Sequence, residues 1–454
     1  MVYFLGILIS LAAGFLVIRL LAPQRLDPIL RILLALALGL GMDGTAAFYT
    51  HILFNQFNRW IPVGLMVLGI LLLSFFLDKN VREQASKSTK KAKNKPLKNT
   101  TFWGEIKLTQ AHAWGLLTLG VLAVPLAIGA HYFPLGGWDA WSCWGLKAKF
   151  IFLGHENWKD ALAPGLWRSN TQYPLLWPLI NVWFWDLGGQ FNQAVPMFNS
   201  IIIALLTAGI LLFGLWELTG MLFASIAAAV IVTALPLGVL FATSQYSDGL
   251  LGLYLLSAFM SFLLAEKYDL PKLKILGMIF LGLLSFTKSE GLVAAGIAAL
   301  GLFWHERSDK KELKGLILAF FIALLPTIIF TLFFAPKNEA FINGLTSMDK
   351  PATWDRLLFI LAYTGLEFIR PQWNFFWLIV IGGILLAGKK LWRSTLGVIG
   401  LTLILYMGVV TAYYAVNTFF AIGWWLNTTL SRILFALVPT ITLWVGSGLR
   451  SKDA

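Results

Sequence analysis

Apolar segments, separated by short polar or basic stretches, follow one another along nearly the whole chain. Most are close to the ~20 residues that a helix needs to cross the ~30 Å hydrocarbon core of a membrane. The pattern therefore predicts an all-α fold, a polytopic transmembrane bundle of about thirteen spans. The predicted spans are 2–22, 29–49, 61–77, 111–131, 195–215, 219–241, 248–266, 272–288, 290–304, 314–334, 375–389, 394–414 and 430–448.

Composition supports this class of protein. Of 454 residues, 58% are hydrophobic and only 13% are charged, which is too apolar for a soluble globular protein. The net charge of +13 collects in short segments between apolar runs, where retention of Lys and Arg in the cytoplasm explains it better than nucleic-acid binding. We predict a multi-pass protein of the cell's inner or plasma membrane that binds membrane lipid and no nucleic acid.

A basic stretch rich in Ser, Lys and Asn divides the chain at residues 78–110. Its composition predicts a solvated cytoplasmic linker between an accessory transmembrane module, 1–77, and a main membrane domain, 111–454. Counting spans from this linker places the C-terminus in the cytoplasm. The same count places the loop 132–194, which follows the fourth span, outside.

The outer loop 132–194 alternates polar and apolar stretches, which predicts short amphipathic helices in the membrane interface. Eight of the twenty tryptophans lie in it, and a belt of aromatic rings at headgroup depth is their simplest interpretation. Those tryptophans are residues 138, 141, 144, 158, 167, 177, 183 and 185. Asp139 is harder to explain, because a carboxylate among bulky apolar neighbours loses hydration unless it has a partner or a task.

Further polar residues fall at span ends on the same predicted side. Asp248 precedes the seventh span, where a helix N-cap is the alternative interpretation. Lys288 and Glu290 lie between two short spans, and a mutual ion pair or a re-entrant hairpin is the alternative there. Arg432 begins the last span, where it either snorkels to the interface or binds a phosphate. Together they predict an outward-facing cavity with acids for chemistry and cations for an anion.

Several short motifs occur in a fixed order along the chain. They are Gly137–Trp141, Lys147–Lys149, Gln172–Leu179, the acidic turn at Asp248, Thr287–Gly291 and Ser431–Arg432. From about residue 111 to 454 the chain resembles the bacterial integral-membrane glycosyltransferases of the GT-C type. That superfamily includes protein O-mannosyltransferases and the aminoarabinose transferase of lipid A.

The resemblance implies transfer of a sugar, with inversion, from a polyprenyl-phosphate donor to an acceptor hydroxyl at the extracytoplasmic face. Asp139 matches the position of the family's catalytic base, which takes the proton of the hydroxyl. Arg432 and Lys288 match positions expected near the lipid phosphate, whose charge they would stabilise. The remaining substrate-binding candidates are Asp248, Glu290, Lys147, Lys149 and Arg168.

No metal or other cofactor is assigned from the sequence. No Cys and His residues have the spacing of a zinc site, and Asp139 with Asp248 does not define a coordination sphere. The chain also has Asn170, Thr171 and Gln172 before its Tyr-Pro motif, where relatives often have an acid or histidine. This departure predicts a different acceptor or the lack of a metal there, and the acceptor itself, a glycan, lipid or protein, is not identified.

Two other classes of membrane protein fit part of the pattern. A transporter or lipid flippase would explain the spans and the polar cavity, but it predicts broken helices and ionisable residues at the bilayer midplane. A polymerase or ligase of surface polysaccharide shares lipid-linked substrates but usually has its large outer loop late in the chain. Here the larger loop is early, and the later one, 335–374, is shorter.

Overall fold

The computed structural model describes residues 2–21, 26–54, 108–346 and 354–449, with a few positions between 61 and 71. Every regular element within those residues is helical, which confirms the predicted all-α class. Eight helices are long and apolar enough to cross a membrane, and a ninth span results if one bent pair of helices counts as a single crossing. These helices support a polytopic membrane protein, while the count of about thirteen spans stays a prediction.

The α-helices are numbered here in chain order. The first eight helices in the described part of the chain are α1 (Val2–Leu21), α2 (Pro28–Phe54), α3 (Gln110–Tyr132), α4 (Gly145–Gly154), α5 (Leu176–Gly188), α6 (Ala194–Thr219), α7 (Leu222–Ala234) and α8 (Pro236–Thr243). They are followed by α9 (Asp248–Tyr268), α10 (Pro271–Thr287), α11 (Ser289–His305), α12 (Lys310–Phe333), α13 (Glu339–Thr346), α14 (Trp354–Phe368), α15 (Phe376–Ala387), α16 (Ser394–Val416) and α17 (Ile422–Gly448).

Helix α9 lies at the centre of the bundle. Within its most apolar 18-residue window 94% of the residues are buried, against 22% for α3 and 33% for α12. Helices α6, α10 and α17 pack around α9, whereas α3 and α12 expose apolar side chains at the periphery. This arrangement is the one expected where lipid, rather than water, covers the outer helices.

The first two helices share the core of the later ones. Helix α2 packs against α5 and α6, and a polar contact at its start ties it to α3. There Asp27 Oδ2 lies 2.6 Å from His112 Nε2, and both side chains are buried. The other oxygen of Asp27 accepts the backbone N–H of Leu30 at 2.9 Å and so caps α2. Most of the predicted span 61–77 and of the linker 78–110 lies outside the described residues.

The outer loop does consist of short helices, but most of its tryptophans are not membrane anchors. A π-helix (Ala140–Trp144), two 3-10 helices (His155–Leu162 and Pro164–Ser169), α4 and α5 make up much of the loop. Five of its eight tryptophans are at most 1% exposed, so the predicted interfacial role is wrong for residues 144, 158, 177, 183 and 185. They pack inside the protein, as where Trp158 contacts Phe334 and Trp185 contacts Phe152.

Candidate functional site

Two turns on different segments hold the start of the outer loop in place. The backbone N–H of Gly137 donates to the carbonyl of Ser244 at 3.0 Å, and Gln245 Nε2 donates to the carbonyl of Pro134 at 3.0 Å. Gly136 has φ +69°, a left-handed conformation that favours glycine. The contact brings Asp139, immediately before the π-helix, next to the turn that leads into α9.

Gly137 allows this close approach because it has no side chain. A Cβ atom on Gly137 would lie 2.3 Å from the hydroxyl oxygen of Tyr246. That hydroxyl also bonds to the backbone of Asp139, and burial followed by the charge of Asp139 raises the pKa of Tyr246. The ring of Tyr246 in turn lies 4.3 Å from the guanidinium carbon of Arg432. Tyr246 therefore links the loop to the last helix.

Arg432 bridges two carboxylates. Its Nη1 lies 2.6 Å from Asp139 Oδ2, while Nη2 and Nε lie 2.8 and 3.1 Å from Asp248 Oδ2. Ser247, and not Asp248, occupies the N-cap position of α9, so the N-cap interpretation of Asp248 is wrong. Charge-assisted bonds of this kind are roughly twice as strong as neutral ones, so Arg432 fixes the two carboxylates relative to each other.

Lys288 extends the same set of charges. It lies in extended backbone (φ −163°, ψ 157°) at the break between α10 and α11. Its Nζ lies 3.1 Å from Asp248 Oδ1 and 3.2 Å from Glu290 Oε1, so the predicted mutual ion pair is present but is part of a larger arrangement. Asp139, Asp248, Lys288, Glu290 and Arg432 are called the Arg432 network below.

The carboxylates of the Arg432 network differ in exposure. The side chain of Asp248 is 2% exposed and forms the floor, whereas those of Asp139 and Glu290 are 28% and 26% exposed. A ligand therefore reaches Asp139 and Glu290 before it reaches Asp248. Oε2 of Glu290 is buried and has no hydrogen-bond partner among the described residues.

Tyr173, together with Tyr246, was not among the residues singled out from the sequence. Tyr173 stacks on Trp144, with ring centroids 5.7 Å apart, and Lys288 Nζ lies 5.8 Å from its ring. Burial, and then the negative charge of Glu290, raises its pKa well above the ordinary value. The signal was available, since Tyr173 and Tyr246 both lie within the short motifs that drew attention to the site.

Lys147 is buried beside the Arg432 network and not within it. It is 1% exposed, its Nζ donates to the carbonyl of Asn170 at 3.0 Å, and the ring of Trp144 lies 4.6 Å away. Burial lowers its pKa, because a charged amine loses its hydration there. The other two cationic candidates lie elsewhere: Lys149 is over Phe191 at 4.7 Å, and exposed Arg168 is over Trp167 at 5.4 Å.

A narrow apolar cleft ends at the Arg432 network. Helices α6, α9, α17 and the α7–α8 pair, which is bent by 63°, form its walls. Ile203, Phe241 and Phe435 contribute apolar surface, and Tyr246 and Asp248 contribute to the lining where the cleft meets the network. The site thus joins a cluster of charges to a narrow apolar cleft.

Cofactor and family comparisons add no further assignment. In the part of the chain that the structure describes, no group of three or more His, Cys, Asp or Glu side chains could hold a metal ion. No protein-family model, curated protein or solved structure matches the chain.

Proposed function

We propose that the protein is an integral-membrane glycosyltransferase, one that moves a sugar from a polyprenyl-phosphate donor to an acceptor hydroxyl. The observation that carries the proposal is the Arg432 network, in which four separate chain segments place three carboxylates and two cations together. A carboxylate that is partly exposed beside cations suits a reaction in which a proton is taken up and a phosphate leaves.

In the proposed reaction Asp139 is the general base. The acceptor oxygen forms a bond to the anomeric carbon of the sugar as its proton passes to a carboxylate oxygen of Asp139. The bond between that carbon and the phosphate oxygen breaks, and polyprenyl phosphate leaves with its negative charge. Arg432 and Lys288 stabilise that charge, and no covalent intermediate with the enzyme is needed.

Arg432 connects the two halves of this reaction. Its Nη1 bonds to Asp139 at 2.6 Å, and a donor phosphate that took this position would release the carboxylate for the acceptor. Guanidinium suits both partners, because it binds carboxylate and phosphate with the same fork of donors. Donor binding would thus activate the base, and Asp248 would keep Arg432 in place throughout.

The apolar cleft between α6, α9 and α17 supports a lipid-linked donor, because it places apolar side chains directly beside the charges at which the phosphate would bind. We place the network on the extracytoplasmic side and the C-terminus in the cytoplasm. The shorter helices α10, α11 and α15 and the bent pair would then also enter the bilayer, which brings the count towards thirteen spans. Lys147, Lys149 and Arg168 remain proposed substrate contacts.

The test uses purified protein in nanodiscs, with polyprenyl phosphate as the binding probe and polyprenyl-phosphate sugars as donors. Asp139→Asn should bind polyprenyl phosphate like the wild type but lose transfer by a factor of about 100 or more. Arg432→Gln should weaken binding, whereas Arg307→Gln, which changes an exposed arginine away from the network, should not. Normal transfer by Asp139→Asn would refute the mechanism, and a wild type with no affinity for polyprenyl phosphate would refute the proposed donor.

A lipid flippase is the second candidate, and two observations favour it. The α7–α8 pair is a broken helix, and Asp43 is fully buried inside α2, where its Oδ2 accepts from Ser10 at 2.5 Å. Broken helices and buried carboxylates both occur in transporters. Vesicles with fluorescent polyprenyl phosphate decide between the classes, because a flippase would move the lipid between leaflets without any sugar transfer.

A further inference from the structure

A second cavity, lined by charged residues, lies far from the Arg432 network. It has a volume of about 540 Å³ and lies between the ends of α9 and α17 and the start of α16. The polar lining comes from Glu266, Lys267, Lys390, Arg393, Ser394 and Ser447. This space is called the Arg393 cavity below.

The Arg393 cavity is at the opposite end of the bundle from the proposed active site. Asp248 begins α9 and Lys267 lies in its last turn. Lys267 follows Asp248 by nineteen positions, which corresponds to about 28 Å of helix at 1.5 Å per residue. That distance is close to the hydrocarbon thickness of a membrane, so one phosphate group cannot occupy both sites.

Its chemistry favours an anion. Three cationic side chains, Lys267, Lys390 and Arg393, line it against the single carboxylate of Glu266. Helix α16 begins at Ser394 on its wall, and the first turn of a helix presents unbonded N–H groups and a partial positive charge. A helix start together with cationic side chains is a common binding site for phosphate groups.

The surroundings of the Arg393 cavity are those of a membrane boundary. Leu385 and Leu386, near the end of α15, are 77% and 80% exposed, which is expected of side chains that face lipid. Trp392 ends the 3-10 helix (Gly388–Trp392) that follows α15 and is 54% exposed, as is typical of a ring at headgroup depth. Side chains that face lipid therefore lie only a few positions along the chain from Lys390 and Arg393.

We propose that the Arg393 cavity binds a phosphate ester, either the headgroup of an anionic lipid or a small soluble phosphate ester. For a lipid, the phosphate lies among Lys390, Arg393 and the start of α16, and the acyl chains run along Leu385 and Leu386. Basic pockets at the ends of membrane helices hold lipid phosphates in this way. The site is separate from the proposed glycosyl transfer, and its test does not depend on that reaction.

The test measures binding to the full chain in detergent by native mass spectrometry, with phosphatidylglycerol, phosphatidylcholine and glycerol 3-phosphate as probes. The variant is Lys390→Gln/Arg393→Gln, and the control is Lys310→Gln/Lys311→Gln, an exposed pair at the start of α12 and outside the cavity. Phosphatidylglycerol should bind the wild type better than phosphatidylcholine. The cavity variant should lose about thirtyfold in that affinity, about fivefold for each cation, while the control keeps it.

The probes separate the two sources of phosphate. A preference for phosphatidylglycerol that glycerol 3-phosphate does not compete with supports a lipid headgroup, whereas saturable binding of glycerol 3-phosphate that the cavity variant loses supports a soluble ester. Equal losses in the cavity and control variants would overturn the proposal. It would also be overturned by a wild type that binds both lipids alike and does not bind glycerol 3-phosphate. Circular dichroism checks that both variants stay folded, as expected from four exposed side chains.

Discussion

Replacing Arg432 by glutamine tests whether the network is as strongly coupled as its geometry indicates. The change removes three charge-assisted contacts and leaves Asp248, 2% exposed, with Lys288 as its remaining cation. Breaking a buried ion pair by removing one partner costs about 3–5 kcal/mol, because the charge left behind stays buried. Asp139 adds less, since its side chain is 28% exposed and water can solvate it. We therefore expect a loss of about 3–5 kcal/mol in the free energy of unfolding.

The assay is reversible unfolding of the purified protein in mixed micelles, followed by circular dichroism. The double variant Arg432→Gln/Asp248→Asn should recover part of the loss, because residue 248 is then no longer a buried carboxylate and Lys288 keeps Glu290 as its partner. Arg168→Gln, at an exposed site, should stay within about 0.5 kcal/mol of the wild type. A loss below about 1 kcal/mol for Arg432→Gln would refute the reasoning, since that is the value of a solvated surface pair.

Two further predictions concern the loop that carries Asp139. Gly137→Ala should lower the free energy of unfolding by about 1–3 kcal/mol, because the new methyl group would lie 2.3 Å from the Tyr246 hydroxyl. The control Gly315→Ala should not destabilise the protein, because its new methyl group would meet nothing within 4 Å. Equal effects of the two variants in unfolding assays would contradict the close approach at Gly137. Burial lowers the pKa of Lys147 in the folded protein. Between that lowered pKa and the ordinary lysine pKa of about 10.4, the unfolded chain binds more protons at this residue than the folded protein does. The contribution of Lys147 to the free energy of unfolding therefore rises with pH. The unfolding free energy of the wild type minus that of Lys147→Met should therefore increase towards that pH, by at most about 1.4 kcal/mol per pH unit for one proton; a flat or falling difference would contradict the burial of a charged amine.

The meeting of Asp248, Lys288, Glu290 and Arg432 was predictable because each lies at the end of an apolar segment. Span ends on one side of a membrane share a thin layer, so side chains distant in sequence become neighbours there. The pairing within the layer was not predictable. Hydropathy assigns a residue to a depth but not to a partner, and it could not place Arg432 between Asp139 and Asp248.

The tryptophans show where composition misleads. The same aromatic and apolar residues suit a membrane interface and a protein core, so a count of rings could not separate the two. Helix α5 did carry a usable signal, since Leu176–Gly188 is apolar on nearly all sides, as expected of a buried helix. The sequence around Lys147 carried no such signal, because the burial of Lys147 depends on its contacts with Trp144 and Asn170 in the folded protein.

The contact between Asp27 and His112 bears on how the protein tolerates change in its sequence. It joins helices on either side of the segment 72–107, and α2 also packs against α5 and α6, so the covalent connection is not what keeps α1 and α2 in the bundle. Doubling the length of such a connection costs only about 0.6 kcal/mol in closure entropy. A change in the length or charge of the predicted linker 78–110 should therefore have little effect on the Arg432 network, so this linker is a suitable place to insert a tag.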